Sequence, residues 1–323
     1  MTDARLPRLE DSAVPEPARI IPIACPFGPA GTVFVYYIDA PEPALIDVGV
    51  AGSPEGAIEP ALAAQGIKLA DVRWILASHG HWDHIGGAGT GKQRAPDAKI
   101  ALHAADAELL ADRTSHIRGY QGVRFTFIDD PAAYAAHDAM LLENLSGEMG
   151  ADRALEDGDR IDLGGGVTLT TIHTPGHSAG AVTFVLDGAD LAFTGDSIQG
   201  RGAHGSFPLI EHPNGYRASL KKLREDIRPK RLMMGHRFGG LDGVARENIL
   251  EGDAAATMLR ESAELADRLA ALAPTLKAPA DRPYDPNQFK PVAEMIGANT
   301  ADPASWPPSI FITMDAFRRA GQA

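Results

Sequence analysis

Apolar residues recur along this chain in short blocks cut by Gly, Pro, Asn and Asp, the pattern of strands alternating with helices. Val33–Ile38 and Ala44–Asp47 read as strands joined across the turn Asp39-Ala40-Pro41-Glu42-Pro43. A helix is predicted over Pro54–Gln65, N-capped by Ser53 and stopped by Gly66, with Pro60 kinking or shortening it. Val72, Trp74, Ile75 and Leu76 make a short buried strand. Lys99–His103 makes another, followed by a helix over Ala104–Asp112. Residues 113–159 are less regular, with a helix expected over Ala132–Glu148. Alternation then returns at Ile161, Val167–Ile172 reads as an alternating strand, Ala189–Phe193 is a continuous apolar run, and Asn214 caps a helix over Gly215–Asp226.

Past residue 243 the character changes. Ala245–Ala273 carries Ile249, Met258, Leu265, Leu269 and Leu272 at near-helical spacing, which predicts a helix laying an apolar stripe on the fold or on a second subunit. Residues 274–309 hold eight prolines and read as an extended arm wrapping a surface, ahead of a short helix over Ser309–Arg319. Such an arm needs contacts to be ordered, so a lid or a homodimer is the expected partner. At the other end, residues 1–18 are rich in Pro and acidic residues and read as a flexible arm.

Candidate chemistry sits where predicted strands end. After Leu76 the run Ser78-His79-Gly80-His81-Trp82-Asp83-His84 gathers three imidazoles and a carboxylate, a spacing that neither a helical nor a strand period explains. Imidazole nitrogen with carboxylate oxygen suits zinc, manganese or iron better than calcium or magnesium. Three more segments pair a Gly with one metal-capable side chain at a strand end: Thr174-Pro175-Gly176-His177, Phe193-Thr194-Gly195-Asp196 and Met233-Met234-Gly235-His236. A lone His after a strand is usually structural; four such ends together point to one shared site.

This set resembles the metallo-β-lactamase-fold hydrolases, whose pattern is H-x-H-x-D-H followed by a late His, Asp and His, over about residues 20–240. The resemblance implies an α/β fold, a four-layer αββα sandwich with a C-terminal helical extension. It also implies a catalytic domain over residues 19–243, with residues 244–323 as helix and Pro-rich arm. By the same resemblance His79, His81 and His177 would hold one metal, Asp83, His84 and His236 a second, and Asp196 would bridge them. Asp47, in Leu45-Ile46-Asp47-Val48-Gly49, would support the ligand loop from behind. Two divalent ions, zinc foremost with manganese or iron as alternatives, would share a water and give a hydroxide nucleophile at neutral pH. Asp83 would serve in catalysis by holding or passing that proton.

The local motifs are closest to the branches of β-lactamase-like protein 2 and glyoxalase II. Gly195-Asp196-Ser197-Ile198-Gln199-Gly200 and Ser219-Leu220-Lys221-Lys222-Leu223 match the former. Zinc β-lactamases carry Cys or Ser where Asp196 stands, and acyl-homoserine lactonases a Tyr where Gln199 stands, so both activities are disfavoured. Gly200-Arg201-Gly202 and Arg237-Phe238 replace the Lys and Tyr that glyoxalase II uses for glutathione. The expected function is hydrolysis of an ester, thioester or lactone of a small molecule. The alternatives are a phosphodiesterase or endoribonuclease, a mono-iron redox enzyme, and a metal-stabilised binding protein without turnover. Arg113–Tyr120 and Gly200–His212 are the expected substrate-shaping segments, which makes His116, Tyr120, His204 and His212 candidate contacts. Arg237 is a candidate for an anionic group, against the reading of a plain surface arginine.

The net charge of −13 repels polyanions, which weighs against a nucleic-acid partner. One cysteine, Cys25, cannot form an internal disulfide, and no long apolar stretch predicts a membrane span. The expected location is therefore the cytoplasm.

Overall fold

The structure, a computed structural model, describes residues 18–203, 205–276 and 285–321. The predicted flexible arm thus lies almost wholly outside the described residues. Six strands build the first sheet: β1 (Arg19–Phe27), β2 (Gly31–Asp39), β3 (Ala44–Ile46), β4 (Trp74–Leu76), β5 (Lys99–His103) and β6 (Arg153–Leu155), in that spatial order. Pairing is antiparallel from β1 to β3 and parallel from β3 to β6. The second sheet holds β7 (Arg160–Asp162), β8 (Thr168–His173), β9 (Val182–Leu186), β10 (Leu191–Gly195), β11 (Arg231–Met234) and β12 (Ile249–Glu251), in the order β12-β11-β10-β9-β8-β7. Only its β10–β11 pair is parallel.

Strand β2 shows why the sheets stack. Phe34, Tyr36 and Ile38 join Phe184, Phe193 and Met233 in a core between the sheets, while Val33, Val35 and Tyr37 face Ile58, Leu62 and Leu110 on the other side. A strand covered on both faces reads as a continuous apolar run, not an alternating one. Each large side chain buried there stabilises the fold by roughly 1.5–3 kcal/mol. A third core covers the outer face of the second sheet, where Leu232 and Met234 meet Leu220, Leu259 and Phe311. The layers are helix, sheet, sheet, helix, as expected for the αββα class.

Several boundaries differ from the sequence reading, each for a local reason. Ser53 does not cap: its hydroxyl accepts from Val50 N–H at 3.0 Å instead. Pro54–Ile58 is a wide π-helical stretch that runs directly into the helix Glu59–Ala63, and Pro60 stands just past the change of pitch. Asn214 lies inside the helix Pro213–Lys222 and makes no cap. The helix expected over Ala132–Glu148 spans Pro131–Glu143, because Asp130 caps it by accepting from Ala133 N–H at 2.9 Å.

The Pro-rich tail is not an extended arm within the described residues. Pro286, Pro303 and Pro308 each begin a helical turn and Pro291 is the second residue of one, positions where a missing N–H costs little. Phe289, Trp306 and Phe311 bury with Phe127 in the third core, and the helices Gly252–Leu272 and Pro308–Ala320 share that core with the second sheet. Pro279 and Pro283 lie outside the described residues.

Candidate metal centre

Four strand ends, β4 from the first sheet and β8, β10 and β11 from the second, meet along one edge of the sandwich. His79 follows β4, and His81 stands before the short helix Trp82–Ile85, which carries Asp83 and His84. His177 follows β8, while Asp196 and His236 follow the parallel neighbours β10 and β11 and so emerge side by side. Two glycines permit the approach. A Cβ on Gly235 would lie 2.5 Å from Asp196 Oδ1, and one on Gly195, whose φ is +47°, would lie 2.2 Å from Ser78 Oγ.

The seven side chains form two donor trios. His79 Nε2 and His81 Nδ1 lie 3.0 and 2.7 Å from His177 Nε2. His236 Nε2 lies 3.2 Å from both His84 Nε2 and Asp83 Oδ2. Asp196 stands between the trios, with Oδ1 3.3 Å from His84 Nε2 and Oδ2 3.5 Å from His177 Nε2 and 3.6 Å from His236 Nε2. Within each of the sets His79–His81–His177, His79–His84–Asp196 and Asp83–His84–His236, the ligand atoms lie within 4.8 Å of one another.

That donor set fits divalent cations. Converging imidazole lone pairs and carboxylate oxygens are an energetic liability unless a positive charge lies among them. Asp196 Oδ1 is buried without a well-formed hydrogen bond. Burial, aided by neighbouring imidazoles, holds His79 well below its ordinary range; burial likewise brings His81 and His177 down to about 4, so this trio presents neutral ligands. At His84 burial opposes charge too, but Asp196, Asp47 and Asp83 outweigh it and hold the imidazole well above its usual value. His236 is raised in the same way by Asp196 and Asp83. Asp83 and Asp196 sit well below the carboxylate range because His84 and His236 overcome their burial.

Each imidazole is also held from behind. Asp47 accepts from Ser78 N–H at 2.7 Å, from Ser78 Oγ–H at 2.8 Å and from His84 Nδ1–H at 2.8 Å, and Ser78 Oγ meets His79 Nδ1 at 3.1 Å. One carboxylate thus steadies two ligands, from a residue with φ of +64° that Asp tolerates better than most. His177 Nδ1–H donates to Leu209 O at 2.8 Å, a carbonyl that Gln199 Nε2 also holds at 2.7 Å. His236 Nδ1–H donates to Thr32 O at 2.7 Å, and His81 Nε2 meets Glu211 Oε1 at 2.8 Å. Burial pushes the Glu211 carboxyl up to about 7. Buried Asp106 accepts from Gly80 N–H, Gly180 N–H and Ser178 Oγ–H, and so ties the first ligand loop to the loop of His177. Glu211 and Asp106 carry no motif that marks them in the sequence, and Gln199, which lies in the Gly195–Gly200 run, is not marked there as a support for His177.

The expected substrate contacts scatter. Tyr120 lies against the His81 ring at 4.2 Å and, with His212, lines a cavity of about 630 Å³ whose other walls include Glu211, Ile312, Ala316 and Arg319. His116 is buried, with Nε2 on Leu109 O at 2.9 Å, and lines no part of that cavity. Arg237 lines a separate cavity of about 480 Å³, paired with Glu247 at 3.0 Å and above the Phe34 ring. His204 lies outside the described residues. His103 and His173 stack on each other at 4.1 Å, away from the donor trios, as structural histidines.

Residues 28–236 match the family model of the metallo-beta-lactamase superfamily. A hydroxyacylglutathione hydrolase of Fuscovulum blasticum is 34% identical over 196 residues, 60% of this chain and 58% of that one. Another, of Acidiphilium cryptum, is 31% identical over 232 residues, 70% of this chain and 76% of that one. The cytoplasmic hydroxyacylglutathione hydrolase of Arabidopsis thaliana is 23% identical, with 55% of its length covered, so the chain spans little more than half of several such relatives. A metallo-beta-lactamase family protein of Thermus thermophilus shares the fold, with a TM-score of 0.66 at 21% identity over 92% of this chain and 91% of that one. No helix among the described residues is long and apolar enough to cross a membrane.

Proposed function

The chain belongs to the metallo-beta-lactamase superfamily, and from that premise we propose that it is a dinuclear metal-dependent hydrolase of a small-molecule ester, thioester or lactone. The observation that carries the reading is the pair of donor trios with Asp196 between them. His79, His81 and His177 would hold one ion and Asp83, His84 and His236 the other, with zinc the best match to neutral imidazoles and carboxylates. Bound there, two such ions supply an activated water at neutral pH and an electrophile for the substrate carbonyl.

The chain's own groups do the remaining work. Asp83 keeps Oδ2 against His236 and has its second oxygen to hold a proton and pass it to the leaving group. The cavity beside His81 supplies apolar walls from Ile312 and Ala316 and a cation from Arg319, suited to an acyl compound of modest size. Among acyl bonds we favour the thioester, because several of the similar proteins, those of Fuscovulum blasticum and Acidiphilium cryptum among them, are hydroxyacylglutathione hydrolases. Residues 19–243 would then be the catalytic unit, with the C-terminal helices walling its pocket.

A panel of thioesters, esters, lactones, bis-p-nitrophenyl phosphate and single-stranded RNA tests this. Chelator-sensitive acyl hydrolysis that exceeds phosphodiester cleavage is expected; the reverse order would replace the acyl reading with the phosphodiesterase one.

A further inference from the structure

The supports behind the five ligand histidines are not alike. His79 rests on a hydroxyl, and His177 and His236 rest on backbone carbonyls. Among the described residues two rest on carboxylates, one in each trio: His84 on Asp47 and His81 on Glu211. His81 is distinct in a second way. It turns Nδ1 toward the other donors, whereas His79, His177, His84 and His236 turn Nε2. Its Nε2 is therefore the atom that needs an outer partner, and Glu211 Oε1 stands 2.8 Å from it.

Glu211 is placed by more than that one bond. Its backbone N–H donates to Gly176 O at 2.9 Å, one residue before His177, so the carboxylate is anchored to the loop of a second ligand in the same trio. Tyr120 closes the face of the His81 ring at 4.2 Å, leaving the imidazole clamped on edge and face. The pair spans 130 residues of sequence, a distance over which chance proximity is no default.

We infer that Glu211 is the positioning residue of the first metal site: its carboxylate takes the Nε2–H of His81, fixes Nδ1 toward the ion and raises the basicity of that nitrogen. Asp47 and Glu211 then form a matched pair, one carboxylate behind one histidine in each trio. The inference rests on the two-metal reading above.

The test titrates metal-free wild type, Glu211→Ala and Glu211→Gln with Co(II) alone, following visible absorption and chelator competition, and melts the metal-free proteins alongside. Wild type should take up two equivalents. Glu211→Ala should bind one of them about 10–100-fold more weakly and alter its absorption bands, with the other equivalent and the metal-free melting temperature unchanged. Glu211→Gln, whose amide oxygen still accepts from Nε2–H, should recover part of the loss. Should Glu211→Ala fail to fold, Glu211→Gln decides alone, since a weakened equivalent supports the inference and an unchanged one overturns it. Both equivalents within twofold of wild type in Glu211→Ala, or both weakened together with a lowered metal-free melting temperature, would overturn it while the two-metal reading stands. Wild type that takes up no second equivalent overturns both.

Discussion

The edge that carries the seven donors and the cavity beside it are built from different material. At the edge, every ligand leaves the end of a strand or the helix directly after it, and each imidazole has an outer partner within 3.1 Å. In the cavity, Tyr120 comes from the 3₁₀ helix Tyr120–Thr126, His212 from the loop just before a helix, and Ile312, Ala316 and Arg319 from the C-terminal helix Pro308–Ala320. That helix lies outside the stretch that matches the superfamily, residues 28–236. On the proposed reading the sandwich would fix the reactive chemistry, and Ile312, Ala316 and Arg319 of the C-terminal helix would form the part of the cavity wall that can vary apart from it, whereas Tyr120 and Glu211 touch both.

If that division holds, changes at the edge should cost most. Asp83→Ala or His177→Ala should lower turnover by about 10²–10⁴-fold or abolish it, with circular dichroism little changed. Full activity in either would break the comparison outright. Asp47→Ala should act through the ligands it holds, lowering metal affinity by about 10–100-fold, measured by chelator competition. Unaltered affinity would mean that the His84 and His79 supports are decorative.

Changes in the cavity wall should be milder and of another kind. Arg319 is 59% exposed and already shared with Asp315, so Arg319→Ala should move KM for an anionic acyl substrate by less than about tenfold, or about 1.4 kcal/mol. Neither kcat nor metal content should follow; a loss of metal would merge the two regions. The smallest effect belongs to Cys25, which is buried in the first sheet with its thiol pushed up to about 12 by desolvation. At pH 8 the raised value leaves almost no thiolate, so a disulfide reagent should label the folded protein only on unfolding.

The same division explains what could be read without coordinates. Of the seven candidate donors, the four from His79 to His84 were legible from their dense spacing, while His177, Asp196 and His236 stand singly after apolar runs and were joined to them by the family resemblance. Strands β2, β3, β4, β5, β8, β10 and β11 showed in the apolar pattern. Strand β1 hid behind Pro22 and Pro26, and β6 and β12, three residues each with a charged residue in each, lack the unbroken apolar run that made the equally short β3 and β4 visible. Glu211 reaches His81 across 130 residues, and Asp106 reaches Ser178 across 72, so no local signal marks them. Helix caps misled although Ser53 and Asn214 have the right chemistry: Ser53 stands just ahead of Pro54 but is itself helical in backbone and accepts from Val50 N–H, and the helix Pro213–Lys222 starts before Asn214. Prolines misled at the C-terminus, since those that begin helical turns look like an extended arm in a string of letters.

The central claim is that two metals, held by these seven side chains, hydrolyse an acyl bond. The protein should be purified without added metal, its metals quantified, and the same sample assayed on thioesters, esters and lactones. About two zinc or manganese ions per chain with chelator-sensitive acyl hydrolysis is the result this account predicts. One iron per chain with no acyl turnover would contradict it and point to redox chemistry at the same edge.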